Sequence, residues 1–207
     1  MKQDIQIIDL IKKEKERQES GLELIASENY CSEAVLAACG SCLSWKYAEG
    51  YPHKWTKEND CVSANGRYYQ GQANTNQLEQ LLIDRALELF VPNEKEKYHA
   101  NVQPLSGAPA NLAVLSAFLQ PGDTFMGLSL DNGGHLTHGH KVNITGKFFN
   151  AIQYGLDKDG VLDYAAIEKM AMEKKPKIIV CGATAYPLPI DFARFGEIAK
   201  KCVDNWW

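Results

Sequence analysis

Two short apolar stretches, Thr124–Leu130 (TFMGLSL) and Lys177–Cys181 (KIIVC), decide the fold class of this chain. Each has the length and the apolar content of a buried β-strand. Between them the apolar spacing predicts a helix over Asp163–Lys174, and a second helix follows at Phe192–Cys202. Strands that alternate with helices in this way form a mostly parallel sheet covered by helices. The sequence therefore predicts an α/β fold.

Further elements are predicted on the N-terminal side. Apolar residues at Ile5, Ile8 and Ile11 indicate a first helix, which an extended arm follows. After Phe192–Cys202 this architecture expects another strand, which residues 203–207 (VDNWW) do not supply, so we expect an unfinished sheet and part of a longer protein. The remaining predicted elements are helices at Ser32–Leu43, Leu78–Phe90 and Ala110–Leu119, a strand at Tyr98–Gln103 and a loop at His53–Asn76.

The composition is that of a globular protein, since 45% of the 207 residues are apolar and 23% are charged. The 22 Lys and Arg residues against 26 Asp and Glu give a net charge of −4, which lacks the basic excess that nucleic-acid binding requires. No apolar run is long enough to span a membrane. The charged segment Lys12–Arg17 follows a short apolar stretch, an order that does not fit a secretory signal, so we expect a cytoplasmic protein.

Six cysteines are expected to be reduced thiols in that compartment. Cys39 and Cys42 form a C-x-x-C pair, which could be a redox pair or half of a zinc site. However, the chain has no second C-x-x-C, and the predicted helix Ser32–Leu43 gives both cysteines apolar neighbours. The sequence therefore favours small buried thiols.

A first candidate site is Pro104–Asn111 (PLSGAPAN), which joins a predicted strand to a predicted helix. Gly107 allows a ligand to approach the backbone closely, and Pro109 suits a first helical turn. The free N–H groups at such a helix start bind phosphate well, and Ser106 adds a hydroxyl group. An ordinary strand-to-helix turn is the equally weighted alternative.

A second candidate is Gly133–His140 (GGHLTHGH), which holds three of the five histidines directly after a predicted strand. A histidine there could stack on a planar cofactor, act as an acid or base, or bind a metal. A metal-dependent hydrolase built on His135, His138 and His140 is thus one hypothesis, although no carboxylate lies close on the C-terminal side of these histidines to complete the ligand set. A purely structural role is another.

A third candidate combines Lys46–Pro52 (KYAEGYP) with Arg67–Tyr69 (RYY). Tyrosines and a glutamate in an irregular segment suit polar contacts in a cleft, but tyrosine is also enriched at protein interfaces. Taken alone, this pattern leaves both interpretations open.

These segments, together with Leu24–Asn29 (LIASEN) and Asn101–Pro104 (NVQP), occur in an order that closely resembles the serine hydroxymethyltransferase family. The resemblance covers nearly all of residues 5–202. It implies a pyridoxal 5'-phosphate (PLP)-dependent transferase of fold type I, with an aspartate-aminotransferase-like three-layer α/β/α large domain and a mixed seven-stranded sheet. It also implies interconversion of serine and glycine with tetrahydrofolate as cosubstrate, and a homodimer, with a tetramer as a further possibility.

The resemblance implies roles for residues around the two small molecules. His135 would stack on the pyridine ring of the cofactor, and Thr184 stands where the family usually has a serine near the ring hydroxyl. The positions implied for the cofactor phosphate are Ser106, Gly107 and Ala108, and those implied for the folate pocket are Leu130 and Gly134.

Four positions match the family's residues around the amino-acid substrate, namely Ser27, Tyr47, Glu49 and Tyr69. Tyr47 and Glu49 would contribute to the active site of the neighbouring subunit. There Glu49 would transfer a proton at the substrate hydroxyl. The catalytic positions that the resemblance implies are therefore Glu49, Tyr69 and His135.

The resemblance also implies a domain plan. Residues 1–45 would form the N-terminal helix and arm, and residues 46–207 the N-terminal part of the large domain, without a C-terminal domain. A loop insertion at about 55–66 separates Glu49 from Tyr69. The family's Schiff-base lysine, pyridine-nitrogen aspartate and carboxylate-binding arginine would follow this chain, so we expect it to be inactive alone. A non-catalytic remnant, or a complementing half that binds a partner subunit, is the alternative.

Overall fold

The computed structural model describes residues 4–52 and 66–202. The expected insertion therefore lies outside the described residues except for Gly66, and so do residues 203–207. Two compact units are present: one combines the residues up to Glu33 with those from Leu119 onward, and the other is Ala34–Phe118. The domain boundary expected at residue 45 stays a prediction.

Helices and strands alternate in the second half of the described chain. None of the described helices combines the length and the apolar composition that a bilayer-spanning segment needs. The helices are α1 (Ile5–Glu19), α2 (Glu33–Cys39), α3 (Ala73–Phe90), α4 (Gly107–Phe118), α5 (Ile144–Phe148), α6 (Tyr164–Lys174) and α7 (Phe192–Cys202), and the strands are β1 (Thr124–Leu128), β2 (Asn150–Tyr154) and β3 (Ile178–Val180). Short 3₁₀ helices lie at Cys42–Trp45, Lys95–Lys97 and Leu130–Asn132.

The three described strands form one parallel sheet in the order β2-β1-β3, which confirms the α/β prediction. β1 is the central strand, because Met126 is paired with Ile152 on one side and with Ile179 on the other. Phe125 and Met126 are fully buried, as a strand covered on both faces requires. The sheet fixes the position of the carboxyl end of β1, and the histidine-rich segment follows shortly after that end.

Helices α6 and α7 pack against each other beside the sheet. Asp163 caps α6, because its carboxylate accepts a hydrogen bond from the N–H of Ala166 at 3.0 Å. Tyr154 connects the sheet to this layer: its hydroxyl donates to the Val180 carbonyl at 2.7 Å, and its ring lies 5.8 Å from that of Phe195. Burial raises the pKa of Tyr154, so its phenol remains a hydrogen-bond donor.

The predicted strand Tyr98–Gln103 is wrong, because this segment forms no strand within the described residues. Its backbone is engaged locally instead. The N–H of Tyr98 donates to the Lys95 carbonyl, and the N–H of Gln103 donates to the Asn101 side chain at 3.0 Å. Side-chain bonds of this kind compete with strand pairing.

The predicted helix Ser32–Leu43 is also corrected, because α2 ends at Cys39 and a 3₁₀ turn begins at Cys42. The expectation of buried thiols at Cys39 and Cys42 is wrong, since both are exposed. A glycine and a serine after Cys39 interrupt the helix, and α2 has no buried residue against which the thiols could pack. Two other helices begin earlier than predicted, α3 at Ala73 and α4 at Gly107, and β2 was not predicted at all.

Candidate active site

Arg67 organises the unit formed by residues 34–118. Its side chain is only 4% exposed, and Nη1 donates to the carbonyls of Ala48 at 2.7 Å and Gly50 at 2.5 Å. Nε donates to Asn76 Oδ1 at 2.8 Å, and Nη2 forms an ion pair with Glu79. Because the guanidinium group is rigid and planar, these bonds fix the Lys46–Pro52 segment against α3.

Glu79 has a second partner. Gln103 donates through Nε2 to Glu79 Oε1 at 2.8 Å and to the Gly50 carbonyl at 2.9 Å. The sequence pattern does not reveal this network, because it predicts a loop at Asn76. The spacing of Asn76 and Glu79, three residues apart on one helix face, is the signal that could have found it.

Tyr47, Glu49 and Tyr69, three of the predicted substrate residues, lie together in this unit. The rings of Tyr47 and Tyr69 meet edge-on with centroids 5.4 Å apart. The negative charge of Glu49 raises the pKa of Tyr69, and partial desolvation and a hydrogen bond to the Glu49 carboxylate act in the same direction. Tyr69 thus keeps a neutral phenol beside Glu49.

The long link between Glu49 and Tyr69 does not separate them. The N–H of Tyr68 donates to the Glu49 carbonyl at 3.2 Å, which joins the two flanks directly. Gly50 makes this approach possible: it has a φ of +91°, and an added Cβ would lie 2.2 Å from the Gly66 carbonyl oxygen. The described flanks of this link, Glu49–Gly50 on one side and Gly66–Tyr68 on the other, therefore lie next to each other.

The predicted phosphate positions stand at the start of α4. Ser106, Gly107 and Ala108 are exposed, and the first backbone bond of this helix runs from the N–H of Ala110 to the Ser106 carbonyl at 3.2 Å. The N–H groups of Gly107 and Ala108 precede that bond, as those of a first helical turn do. Apart from its chain neighbours and the backbone of its own helix, no described residue lies within 4 Å of a Cβ added at Gly107, so the space beside this backbone is open within the described part of the chain.

In the other unit, the chain turns sharply after β1. Gly133 has a φ of +92°, and its carbonyl accepts hydrogen bonds from the N–H groups of Thr184 and Ala185, both at 2.9 Å. Gly134 is buried so tightly that an added Cβ would lie 1.9 Å from the Leu128 carbonyl oxygen. This turn brings exposed Thr184 next to the segment that carries His135.

His135 is half-buried, and its orientation is fixed by Thr137. Nδ1 lies 2.7 Å from Thr137 Oγ1 and accepts the Thr137 N–H at 3.1 Å. A neutral ring therefore carries its proton on Nε2. Such a fixed ring suits stacking on a planar ligand.

His138 supports this turn from within. Its Nδ1 accepts the N–H of His135 at 3.3 Å, and the ring donates to the Leu128 carbonyl. Burial lowers the pKa of His138, so the ring is neutral at pH 7. Both nitrogens are thus used by backbone groups. In residues 4–52 and 66–202, no group of three or more His, Cys, Asp or Glu side chains could hold a metal, so the hydrolase hypothesis finds no support.

Leu130 and Ser27 each line a cavity. Leu130 borders a cavity of about 470 Å³ together with Asp131, His140 and Lys141. Ser27 borders one of about 310 Å³ whose described lining comes entirely from residues 14–30. The folate and substrate roles of these two residues stay predictions.

A parallel sheet with helices packed beside it and a histidine-rich turn after its central strand defines an α/β protein, a class in which ligands bind at the carboxyl ends of the strands. Residues 1–205 match the family described as serine hydroxymethyltransferase. The chain belongs to this family.

Relatives named serine hydroxymethyltransferase are similar along almost the whole chain. The protein of Desulfotalea psychrophila (strain LSv54 / DSM 12343) is 52% identical over 199 residues, which cover 96% of this chain and 43% of the relative. That of Polynucleobacter necessarius subsp. necessarius (strain STIR1) is 52% identical over 200 residues, 97% of this chain and 44% of the relative. That of Acidovorax sp. (strain JS42) is 51% identical over 204 residues, which cover 99% of this chain and 45% of the relative. The chain thus spans less than half the length of these relatives.

The described residues fit the pyridoxal phosphate that this family uses. The open backbone beside Gly107, at the start of the 12-residue helix α4, suits a phosphate group, since helix N-termini attract anions. The oriented imidazole of His135 suits the flat ring, and the Thr184 hydroxyl offers a polar partner. The residues that suit the phosphate belong to the Ala34–Phe118 unit, and those that suit the ring belong to the other unit.

Proposed function

We propose that this chain is the N-terminal part of a PLP-dependent hydroxymethyltransferase. The reaction interconverts serine and tetrahydrofolate with glycine and methylenetetrahydrofolate. The observation that carries the proposal is that two family motifs lie in contact: the rings of Tyr47 and Tyr69 meet with centroids 5.4 Å apart, and the N–H of Tyr68 donates to the Glu49 carbonyl at 3.2 Å. Arg67, through its bonds to Ala48 and Gly50, holds this pair in place.

The chain's own residues would hold the phosphate and the ring of the cofactor. The N–H groups of Gly107 and Ala108 and the hydroxyl of Ser106 donate to its phosphate, and the positive end of α4 favours that charge. His135 would stack on the ring, and the Thr184 hydroxyl would form a hydrogen bond with the ring hydroxyl. When bound, pyridoxal phosphate supplies the electron sink for bond cleavage at the amino-acid substrate.

Glu49 is the proton-transfer group in this proposal. Its carboxylate accepts the proton of the substrate hydroxyl, and the hydrogen bond from Tyr69 keeps the carboxylate oriented. Tyr47 packs against Tyr69 and contacts the substrate, to which Ser27 adds a hydroxyl from the arm. Glu49 and Tyr47 serve the neighbouring subunit of a homodimer, and a tetramer is compatible with this.

The folate cosubstrate would lie along Leu130 and Gly134. Leu130 offers an apolar surface at the edge of its cavity, and Gly134 keeps the turn close to β1. The fold type I large domain, with its seven-stranded sheet in three layers, and a cytoplasmic location complete the proposal.

The phosphate role can be tested with pyridoxine 5'-phosphate, which lacks the aldehyde that labels surface lysines. We expect the 207-residue chain to bind it about tenfold more tightly than pyridoxine, because a charge-assisted hydrogen bond contributes about 1.5–3 kcal/mol. Ala108→Pro removes one N–H donor at a helix position that tolerates proline, and should reduce that preference. Equilibrium dialysis measures both affinities.

Gly182→Ala is the matched control, because its Cβ would meet no described residue within 4 Å other than its chain neighbours, and it lies in the other unit. Equal affinity for the two ligands, or a preference that Ala108→Pro leaves unchanged, would contradict the phosphate role.

A further inference from the structure

Cys39 and Cys42 stand apart from the other described cysteines by their position. Cys39 is the last residue of α2 and Cys42 the first of the following 3₁₀ turn, and both are exposed. Cys181 and Cys202 are half-buried, and burial raises the pKa of both thiols, which disfavours the reactive thiolate. The C-x-x-C pair is therefore accessible to reagents in solution.

The backbone around the pair is tightly folded. The N–H of Ser41 donates to the Ala38 carbonyl at 3.2 Å, and the Ser44 hydroxyl donates to the Cys39 carbonyl. These hydrogen bonds form a turn at the two residues that separate the cysteines. A disulfide requires Cα atoms roughly 4.4–6.8 Å apart, whereas an extended segment would hold residues three apart at about 10 Å, so a turn between the cysteines favours the bond.

A metal role for the pair has no support among residues 4–52 and 66–202, where no third His, Cys, Asp or Glu joins them in a possible metal site. Two exposed thiols separated by two residues fit redox chemistry instead. We propose that Cys39 and Cys42 form a reversible dithiol–disulfide site that small-molecule disulfides oxidise. The proposal is independent of the transferase function.

The exchange balances without any other reagent. The thiolate of one cysteine attacks a sulfur of oxidised glutathione, the S–S bond breaks, and one reduced glutathione leaves. The second cysteine, as thiolate, then attacks the mixed disulfide, which forms the Cys39–Cys42 bond and releases a second reduced glutathione. The two protons of the protein thiols end on the two glutathione molecules, and the two electrons reduce their disulfide.

Mass spectrometry of the 207-residue chain after equilibration with oxidised glutathione tests the proposal. Acid quenching, alkylation of free thiols and cleavage after glutamate release residues 34–49, which contain only these two cysteines. We expect this peptide to be lighter than its reduced form by two hydrogen atoms and to resist alkylation. Dithiothreitol should restore both thiols.

Cys31 is the internal control, because it is exposed and cleavage after Glu33 separates it from the pair. Cys31, and Cys42 in the Cys39→Ser variant, should carry glutathione instead. The proposal is overturned if peptide 34–49 carries glutathione without an internal bond, or stays reduced while Cys31 reacts.

Discussion

Replacing Arg67 with alanine should destabilise the Ala34–Phe118 unit by about 3 kcal/mol, because removing one partner of a buried ion pair costs about 3–5 kcal/mol. The variant would leave Glu79 with Gln103 as its remaining described partner, and would free the carbonyls of Ala48 and Gly50. Amide hydrogen exchange along α3 should become roughly 100-fold faster, since each 1.4 kcal/mol is about a factor of ten.

Arg85→Ala is the control for this variant, because Arg85 lies exposed on the same helix. Its exchange rates should change little. Arg67→Lys should fall between the two, because an ammonium group keeps the charge but lacks the planar fork. If α3 exchanged at the wild-type rate in Arg67→Ala, the network would not be what holds Lys46–Pro52.

Gly134→Ala should strongly destabilise the sheet-containing unit even without any ligand. Its Cβ would lie 1.9 Å from the Leu128 carbonyl oxygen and 2.8 Å from that of Ser129, and neither backbone group can move without disturbing the end of β1. Overpacking of this kind costs about 1–3 kcal/mol or more. Faster amide exchange in β1 measures the loss.

The control is again Gly182→Ala, which adds a methyl group to open space in the same unit. It should shift stability by no more than about 0.5 kcal/mol. If β1 of Gly134→Ala exchanged at the wild-type rate, the turn would not be closely packed. A glycine at this position would then be needed only for ligand binding.

The parts of the fold that sequence reasoning predicted best are those with strong apolar runs. β1, β3 and α7 lie where the pattern put them, within a few residues at each end. β2 (NAIQY) was missed because it mixes polar and apolar residues and only Tyr154 is buried. The strand expected at Tyr98–Gln103 failed because no local pattern reveals which partner a strand will have.

At the candidate site, motifs located the residues but not the forces that hold them. Tyr47, Glu49 and Tyr69 could be named from family motifs, whereas their proximity depends on the buried Arg67. The sequence alone does not show that Arg67 is buried, because its partners Asn76 and Glu79 come together only when α3 places them on one helix face. The sequence likewise did not predict that Cys39 is exposed, because apolar neighbours in the sequence do not by themselves bury a side chain.

The central claim is that this chain supplies the N-terminal part of a hydroxymethyltransferase site. The most direct measurement is serine cleavage by residues 1–202 joined to the downstream segment of the Desulfotalea psychrophila relative, with pyridoxal phosphate and tetrahydrofolate present. We predict glycine formation above background and a loss of about 100-fold or more in Glu49→Gln, the effect of removing a general acid–base group. A folded, cofactor-retaining hybrid that forms no glycine, or whose rate Glu49→Gln leaves unchanged, would contradict the account.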